Sequence, residues 1–427
     1  MQDNMIMMAH SAWSARMGDL QRRDRFKRYT YGDQWADLVD DGTGYLRAER
    51  DVLSRVGRSP LTNNLIRRLV KTIVGRYRHL CTQAGRYKTE PDSVDAANDL
   101  AELDSRLMEE FLISGMAIQR VARESRRGRE GVYIDNVNPR HFFCNAYSDP
   151  RGNDIELVGM LHSMTVYEVL ARFGRGDRRV MDRLRQIYAN ADAANPYTLG
   201  ISDSSLDFFS AGPDRCRVIE LWTLDPRVSG RRGQSAVTFV WRCTWMAPDG
   251  QVLAAYDSPW PHGQHPFVVR MYPLIDGEIH PFVEDVIDQQ RYINRLIVLI
   301  DHIMGASAKG VLLFPLNQLP KGVKIEDVAR RWSQPNGVIP VTGMGSMPTQ
   351  VSGTHGDVGA HQLLNLELKL FEDVSGVGDA LMGRTAGGNG GSALFDSQIQ
   401  AATIALADIF DTFNNLTAKR DMLAAKL

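Results

Sequence analysis

The sequence has few cysteines, and their spacing matches neither a disulfide framework nor a zinc site. Only four occur in 427 residues, Cys81, Cys144, Cys216 and Cys243, at separations of 63, 72 and 27 residues. Structural zinc ligands come in closely spaced pairs, and small secreted domains are dense in cysteine. We therefore expect buried free thiols in a protein of a reducing compartment.

Long hydrophobic runs are also missing. The strongest run, Leu296 to Ile300, lies between Arg295 and Asp301 and is far shorter than the ~20 residues that a membrane span needs. Residues 1–28 are polar and lack the apolar segment of a secretory signal. We expect a soluble protein that is intracellular when made and has no membrane partner.

Neither sign of charge predominates. The chain carries 50 Lys and Arg against 51 Asp and Glu, a net charge of -1, so no global positive field draws it onto nucleic acid. The charge balance therefore argues against a conventional DNA-binding protein. The composition, 43% hydrophobic and 24% charged, excludes wholesale disorder, and the length suggests two or three globular units.

Enzyme motifs are lacking as well. The glycine-rich stretch that ends at Gly391 continues with Ser392 and no lysine, so it is not a Walker A loop. No nucleophile elbow, zinc-protease motif or dinucleotide fingerprint occurs. His262 and His265 share a proline-rich turn, but no nearby carboxylate or cysteine completes a metal site, so we interpret them as turn residues.

Three acidic residues are the best candidates for catalysis. Glu284, Asp285 and Asp288 share one predicted helix face beside Arg291, where they could serve acid–base or Mg²⁺ chemistry. A solvated or inter-subunit salt-bridge face is the favoured reading. We therefore predict no enzymatic activity, no catalytic residue, no metal and no cofactor.

The first positive feature of the sequence is a predicted basic amphipathic helix. Apolar residues recur at helical spacing from Leu61 to Leu80, and five bases but no acid lie between Arg67 and Arg78 on the other face. Such a face indicates a contact with phosphate or an acidic partner, or a solvated or inter-subunit surface; the second alternative is favoured.

The following segments alternate between helical and strand patterns, which predicts an α+β module. The predicted helices are residues 93–117 and 165–188, and residues 190–213 are the best candidate for a mobile loop. The predicted strands are 119–123, 132–134, 155–160, 217–222, 236–246 and 252–256.

From Pro281 onward long helices predominate. The stretch Phe282 to Met304 has one apolar stripe. Within it Leu296 to Ile300 is apolar all round, so more than one neighbour must cover it, which a monomer of this size rarely supplies. Strand-like residues 310–314, a charged helix over 321–331 and strand-like residues 337–341 predict a compact insert, and a further helix covers 360–374.

Five glycines fall within Gly383–Gly391, and a heptad stripe then runs from Phe395 to Leu416, which predicts a loop followed by a final helix. The residues expected to pack helices together, within a chain or between copies, are Ile293, Leu296, Ile300, Leu406, Ile409 and Phe413.

The order of these segments resembles the portal, or head–tail connector, proteins of tailed bacteriophages, particularly short-tailed ones. The motifs that carry the resemblance extend over most of the chain: Tyr31–Trp35 (YGDQW), Leu61–Ile66 (LTNNLI), Asn136–Phe143, Asp149–Arg151, Asp249–Gly250, His265–Val268, Asp288–Asn294 (DQQRYIN), Gly310–Leu313 and Asn336–Pro340.

The resemblance implies a portal-like α+β fold with a mixed wing, long stem helices, a small clip and a long C-terminal helix. Carried over by position, the segments are a wing (1–280), a first stem helix (281–305), a clip (306–352), a second stem helix (353–378), a channel loop (379–391) and a helix towards the crown (392–427). The family usually continues into a crown or barrel, whereas this sequence ends at Leu427, which indicates a reduced crown or an incomplete sequence.

The resemblance also implies sites and partners. The channel-loop residues are Met382, Arg384, Thr385, Gly387, Gly388, Asn389, Gly390 and Gly391, and the clip residues expected to dock the motor or adaptor are Lys321, Lys324, Glu326, Asp327, Arg330 and Arg331. The implied partners are further copies in a ring, usually twelve, double-stranded DNA, the terminase large subunit, tail adaptors, and major capsid and scaffold proteins.

The implied location is the portal vertex of the virion, with assembly in the host cytoplasm. Two alternatives stay open: another head–tail or minor capsid protein, and a metal-dependent hydrolase or nuclease that uses the acidic trio.

Overall fold

The computed structural model divides the chain into two compact units. It describes residues 2–90, 93–126, 128–174, 176–193, 208–211, 215–229, 236–307, 311–315, 319, 322–333, 348–351, 357–378, 400 and 403–427. The first unit comprises Met1–Thr30, Arg68–Glu284 and Ala380–Leu427, and the second comprises Tyr31–Arg67 and Asp285–Asp379. Residues 31–67, expected in the wing, therefore group with the predicted stem segments.

The first unit is an α+β assembly, which confirms the predicted fold class at that level. Its helices are α1 (Gln2–Ser14), α2 (Met17–Tyr31, whose last residue belongs to the second unit), most of α4 (Leu65–Gln83), α5 (Val94–Ala97), α6 (Leu100–Ser114), α7 (Val166–Phe173), α8 (Arg178–Ala193) and α12 (Ala407–Ala424). Its strands are β3 (Met116–Arg126), β4 (Arg129–Asn136), β5 (Phe142–Cys144), β6 (Leu157–Met164), β7 (Cys216–Ser229), β8 (Ala236–Met246), β9 (Val252–Asp257), β10 (Phe267–Met271), β11 (Pro273–Ile275) and β12 (Glu278–Ile279).

Two antiparallel sheets form the frame of this unit. One has the order β5-β6-β7-β8-β9 and the other the order β10-β3-β4. Gly159 lies in the middle of β6, where a Cβ atom would come within 2.3 Å of the Phe143 ring and 2.4 Å of the Glu220 carbonyl oxygen. Only glycine therefore lets these three strands pair at this point.

The five-stranded sheet is covered on both faces because its strands alternate two sets of apolar side chains. Phe142, Trp222 and Trp245 pack with residues of α7, α8 and the three-stranded sheet. Phe143 and Phe208 belong to a second cluster with residues of α1. All four cysteines are buried and free, as expected.

Helix α6 ends where the sequence predicts. Gly115 has a φ of 69° and its N–H donates to the carbonyl oxygen of Phe111. A Cβ atom at this residue would lie 2.5 Å from the Ile279 side chain, so both the left-handed backbone and the close packing favour glycine.

Part of the expected mobile loop is ordered. Residues 190–193 complete α8, and Phe208 is fully buried. The rest of residues 190–213 lies outside the described ranges, apart from residues 209–211.

The second unit contains the long helices and small hairpins. Its elements are β1 (Leu38–Asp40), β2 (Leu46–Ala48), α3 (Glu49–Arg55), most of α9 (Phe282–Ser307), β13 (Val311–Leu313), α10 (Ile325–Ser333), β14 (Thr349–Val351) and α11 (Asp357–Ser375). Strands β13 and β14 pair antiparallel, with Val311 opposite Val351, so the insert between α9 and α11 is closed at its base. The predicted strand 337–341 lies outside the described ranges.

The predicted packing residues are buried within the chain itself. Ile293, Leu296 and Ile300 are at most 7% exposed on α9. Leu299 of the same run is 38% exposed, so the chain itself covers most of this apolar helix, and its packing against neighbouring copies stays a prediction. None of the helices in the described ranges is long and apolar enough to cross a membrane.

The described part of the final helix contains one turn residue. Residue 400 and residues 403–405 are helical, a turn at Leu406 follows, and α12 begins at Ala407, whereas the rest of the predicted stretch from Ser392 lies outside the described residues. Leu406, Ile409 and Phe413 are buried in the first unit, where the Phe413 ring contacts Tyr77 at 5.1 Å and Phe111 at 5.8 Å between centroids. The described part of the heptad stripe, from Leu406 to Leu416, therefore belongs to the core of the same chain.

Replacing Phe413 with alanine should lower the free energy of unfolding by about 3–5 kcal/mol, because a fully buried phenyl ring leaves a cavity. Urea unfolding of the purified chain, followed by tryptophan fluorescence, measures this change. The control is Ile404→Ala, since Ile404 is 67% exposed, and it should change stability little. Loss of oligomers by Phe413→Ala at unchanged urea midpoint would instead assign the ring to a contact between copies.

Candidate functional site

The start of helix α4 is held by an amide side chain from helix α9. The first N–H groups of a helix have no partner inside it. Gln290 is fully buried, and its Oε1 accepts hydrogen bonds from the N–H groups of Leu65 at 2.9 Å and Ile66 at 3.3 Å. Its Nε2 donates to the carbonyl oxygen of Asn63 at 2.7 Å, so this one side chain satisfies both donors and an acceptor.

Three further amides extend this contact. Asn294 donates from Nδ2 to Gln34 Oε1 at 2.6 Å, and Gln34 donates from Nε2 to Asn64 Oδ1 at 3.1 Å. Gln290 also donates to Asn294 Oδ1 at 3.1 Å. We call Gln34, Asn64, Gln290 and Asn294 the amide network. It joins the YGDQW, LTNNLI and DQQRYIN motifs within the second unit.

A buried carboxylate lies on the same helix α9. Glu49 is 7% exposed and forms ion pairs with Arg295 at 2.6 Å and Arg291 at 3.6 Å. Arg291 was expected to lie beside the acidic trio, and its partner here is instead the first residue of α3. Sequence spacing could not indicate this pairing because more than 240 residues separate the two.

The three members of the acidic trio have different surroundings. Glu284 lies 3.5 Å from an Arg22 nitrogen and 3.2 Å from the His280 ring, whereas Asp285 and Asp288 are exposed on α9. Within the described ranges, no group of three or more His, Cys, Asp or Glu side chains could hold a metal ion.

The two histidines of the proline-rich turn are engaged with their own backbone. His262 Nδ1 accepts from the Gln264 N–H at 3.0 Å, and His265 Nδ1 accepts from the Phe267 N–H at 3.2 Å. Burial lowers the pKa of His265 to about 3, so this ring stays neutral. Both contacts confirm the interpretation as turn residues.

Four of the six predicted docking residues, Glu326, Asp327, Arg330 and Arg331, lie on the short helix α10. Val328 is the buried residue of α10, and Glu326, Arg330 and Arg331 are exposed around it. Arg330 pairs with Asp327 one turn earlier at 3.3 Å. Lys324, also exposed, immediately precedes the helix, while Lys321 lies outside the described residues. The helix thus presents a charged outer face.

The predicted channel loop lies outside the described residues. This applies to Met382, Arg384, Thr385 and the glycine-rich residues that follow, Gly387, Gly388, Asn389, Gly390 and Gly391. Their role stays a prediction.

The first unit contains a buried charge cluster that sequence reasoning did not find. Glu220 is fully buried; its Oε1 accepts from Trp222 Nε1 at 2.8 Å, and its Oε2 lies 2.7 Å from His162 Nε2. Burial alone would raise the pKa of Glu220, but the Arg120 charge at 3.5 Å and the His162 contact hold it at about 2. Burial lowers the pKa of His162.

A second buried ion pair anchors the C-terminal helix. Arg420 on α12 and Asp104 on α6 are at most 1% exposed and form an ion pair. Gln119 donates to the same carboxylate at 3.3 Å and Tyr87 at 3.2 Å. Burial raises the pKa of Asp104, against the opposing charge of Arg420. No periodicity in a single sequence relates residues so far apart.

A comparison with models of protein families identifies a family. The model of the family described as "Phage P22-like portal protein" matches residues 12–419. No curated protein matches the chain.

Replacing Gln290 with methionine should destabilise the second unit by about 2–4 kcal/mol, because each buried donor left without a partner costs about 1–3 kcal/mol. Chemical unfolding measures the loss. The neighbouring variant Gln289→Met is the control, since Gln289 Oε1 has no hydrogen-bond partner among the described residues. Equal stability of the two variants would show that the amide network contributes nothing.

Stability should fall in acid because of Glu220. Its folded pKa of about 2 lies below the ordinary 4.5, so its contribution is present above pH 4.5 and is lost as the pH falls towards 2. The Glu220→Gln variant should be less stable near pH 7 by about 3–5 kcal/mol, since Arg120 loses its buried partner, and should depend less on pH below 4.5. Urea unfolding at a series of pH values tests this, with the exposed Glu278→Gln as the control; parallel pH profiles for wild type and Glu220→Gln would contradict it.

Proposed function

The chain belongs to the P22-like phage portal protein family, and from that premise we propose that it closes into a ring of identical copies at one capsid vertex. Twelve copies are usual in the family. The lumen carries double-stranded DNA inward during packaging and outward during ejection. The observation that carries this proposal is the family match over residues 12–419. The role is structural, so we assign no catalytic residue.

An exposed apolar stripe supports assembly of several copies. Helix α11 buries Phe371 within the chain, yet Leu366, Leu370 and Val374 are 52%, 39% and 46% exposed. These residues recur every four positions, so they form one stripe along the helix. Contiguous exposed apolar surface on a soluble chain marks an interaction site. In the ring, we assign this stripe to the contact with a neighbouring copy.

The second unit also has the parts of a stem and clip. Helix α9 has 26 residues and a length of about 39 Å, and α11 has 19 residues and a length of about 28 Å. The insert between them carries the charged helix α10 beyond the β13–β14 ladder. We assign α9 and α11 to the stem, and the insert to the clip that docks the terminase large subunit and later the tail adaptor.

The charge balance suits a conduit. Each phosphate that a lumen neutralises adds affinity through counterion release, so a net-basic lining would hold the duplex in place. The net charge is -1. We assign residues 379–391 to a channel loop, in which Arg384 is the available cation and the glycines permit movement as the DNA grooves pass. Major capsid and scaffold proteins complete the partners that the portal family implies.

Leu366→Asp should prevent ring formation without unfolding the chain, because it places a carboxylate in the proposed contact between copies. Negative-stain images of the wild type should show rings, and light scattering of the variant should give the mass of smaller species. Capsids assembled with the variant should contain no packaged DNA.

The control is Asn365→Asp, which adds the same charge at the adjacent exposed residue of α11 and should leave rings intact. A wild-type protein that forms no ring, even with its assembly partners, would refute the proposed function. Intact rings in Leu366→Asp would refute only the assignment of the stripe.

A further inference from the structure

The exposed face of helix α4 concentrates positive charge. Arg68, Lys71 and Arg78 are exposed on it, and between Arg68 and Gln83 the helix contains no acidic residue. In the described part of the chain, the side chains of Arg68 and Lys71 form no ion pair. Arg78 lies 3.7 Å from Glu102 of α6, which also pairs with Arg106. We call Arg68, Lys71, Gly75 and Arg78 the basic face.

A glycine lies in the middle of this face. Gly75 is exposed inside the helix, and a Cβ atom there would meet nothing within 4 Å. Glycine costs about 1 kcal/mol relative to alanine inside a helix, and no packing against the described residues requires it. A residue without a side chain between Lys71 and Arg78 instead gives another molecule close access to the helix backbone.

The composition of the face points to a polyanion rather than to a protein surface. Contacts between proteins bury aromatic and other apolar residues at their centre and are depleted in lysine, whereas no large hydrophobic side chain is exposed anywhere on α4. Arg76, on the flank of the face, has a buried Nε without a hydrogen-bond partner in the described structure. It lines a cavity of about 1100 Å³ beside α12.

We infer that the basic face binds the sugar–phosphate backbone of double-stranded DNA, with Gly75 as the point of closest approach. This inference rests on the proposed function, which brings DNA to the protein, and names a contact separate from the channel loop. The face extends from Arg68 to Arg78, about 15 Å along the helix, over which one DNA strand presents about four phosphates. The contact reads no sequence, because phosphates carry none.

The matched control is helix α8 of the same unit. It is also basic, with Arg179 and Arg183 exposed, but Arg185 pairs with Asp182 at 3.1 Å, Val180 is exposed, and no glycine interrupts it. If DNA were attracted to positive charge in general, it would bind α4 and α8 equally.

The experiment measures binding of a fluorescent DNA duplex of arbitrary sequence to the full-length protein over a range of salt concentrations. The binding constant K falls as salt is added, so the slope of log K against log[salt] is negative. The double variant Arg68→Gln/Lys71→Gln should reduce the magnitude of this slope by about 2, since each lost phosphate contact removes about 0.9. The double variant Arg179→Gln/Arg183→Gln should leave the slope unchanged. An unchanged slope in the α4 variant, or an equal decrease in both, overturns the inference.

Gly75→Gln separates binding from folding. It should raise the thermal midpoint, because glutamine favours helix more than glycine does, yet weaken DNA binding at least fivefold by blocking the close approach. Unchanged affinity would overturn the role of Gly75. A change in particle mass by light scattering, with DNA affinity retained, would assign the face to a contact between copies and overturn the inference. If the wild type failed to form rings, only the proposed function would be refuted, because the salt dependence of DNA binding is measured separately from ring formation.

Discussion

The N–H groups that open helix α4 must find hydrogen-bond acceptors, and this requirement organises the second unit. Gln290 supplies the acceptor from the middle of α9, and Asn294 and Gln34 complete a closed set of amides around it. Apolar helix faces can slide past one another by a turn at modest cost, whereas buried amides are satisfied in few arrangements. The amide network therefore selects one register for α9 against the segment before α4.

Sequence patterns predicted the elements well where periodicity was strong. Strand β8 has the predicted bounds, and α9 begins at the predicted residue and extends three residues beyond the predicted end. The helix predicted over residues 360–374 is α11, which covers Asp357–Ser375. Long periodic segments leave little choice of structure. The charged helix predicted over residues 321–331 corresponds to α10, which begins at Ile325.

Pairings between distant segments could not be predicted from one sequence. The heptad stripe before Leu416 indicated burial correctly but not its partner, which is the core around Tyr77 and Phe111 of the same chain. Arg420 and Asp104 are separated by 316 residues. The residues next to each of them in the sequence do not indicate that the two form a buried ion pair. The hydrogen bond between Gln34 and Asn294 could not be predicted from the motifs that contain them, because amide side chains show no periodicity.

A net charge near zero conceals a strongly uneven distribution. Several charged side chains are paired inside the fold, as in the Glu220–Arg120 and Asp104–Arg420 pairs. There they fix the positions of the elements that carry them and do not contribute to solubility. The exposed charges are segregated instead, with bases on α4 and a mixed set on α10. Such segregation allows one chain to attract a polyanion at one surface while the molecule as a whole exerts little long-range pull on it.

The short ladder between β13 and β14 has an evolutionary consequence. It brings Val311 and Val351 together, so the chain between them leaves and returns at one point. Lengthening a loop whose ends are already clamped costs little free energy, and insertions or deletions there do not displace α9 or α11. The stretch between the two strands can therefore change as an exchangeable cassette without disturbing the two helices that flank it.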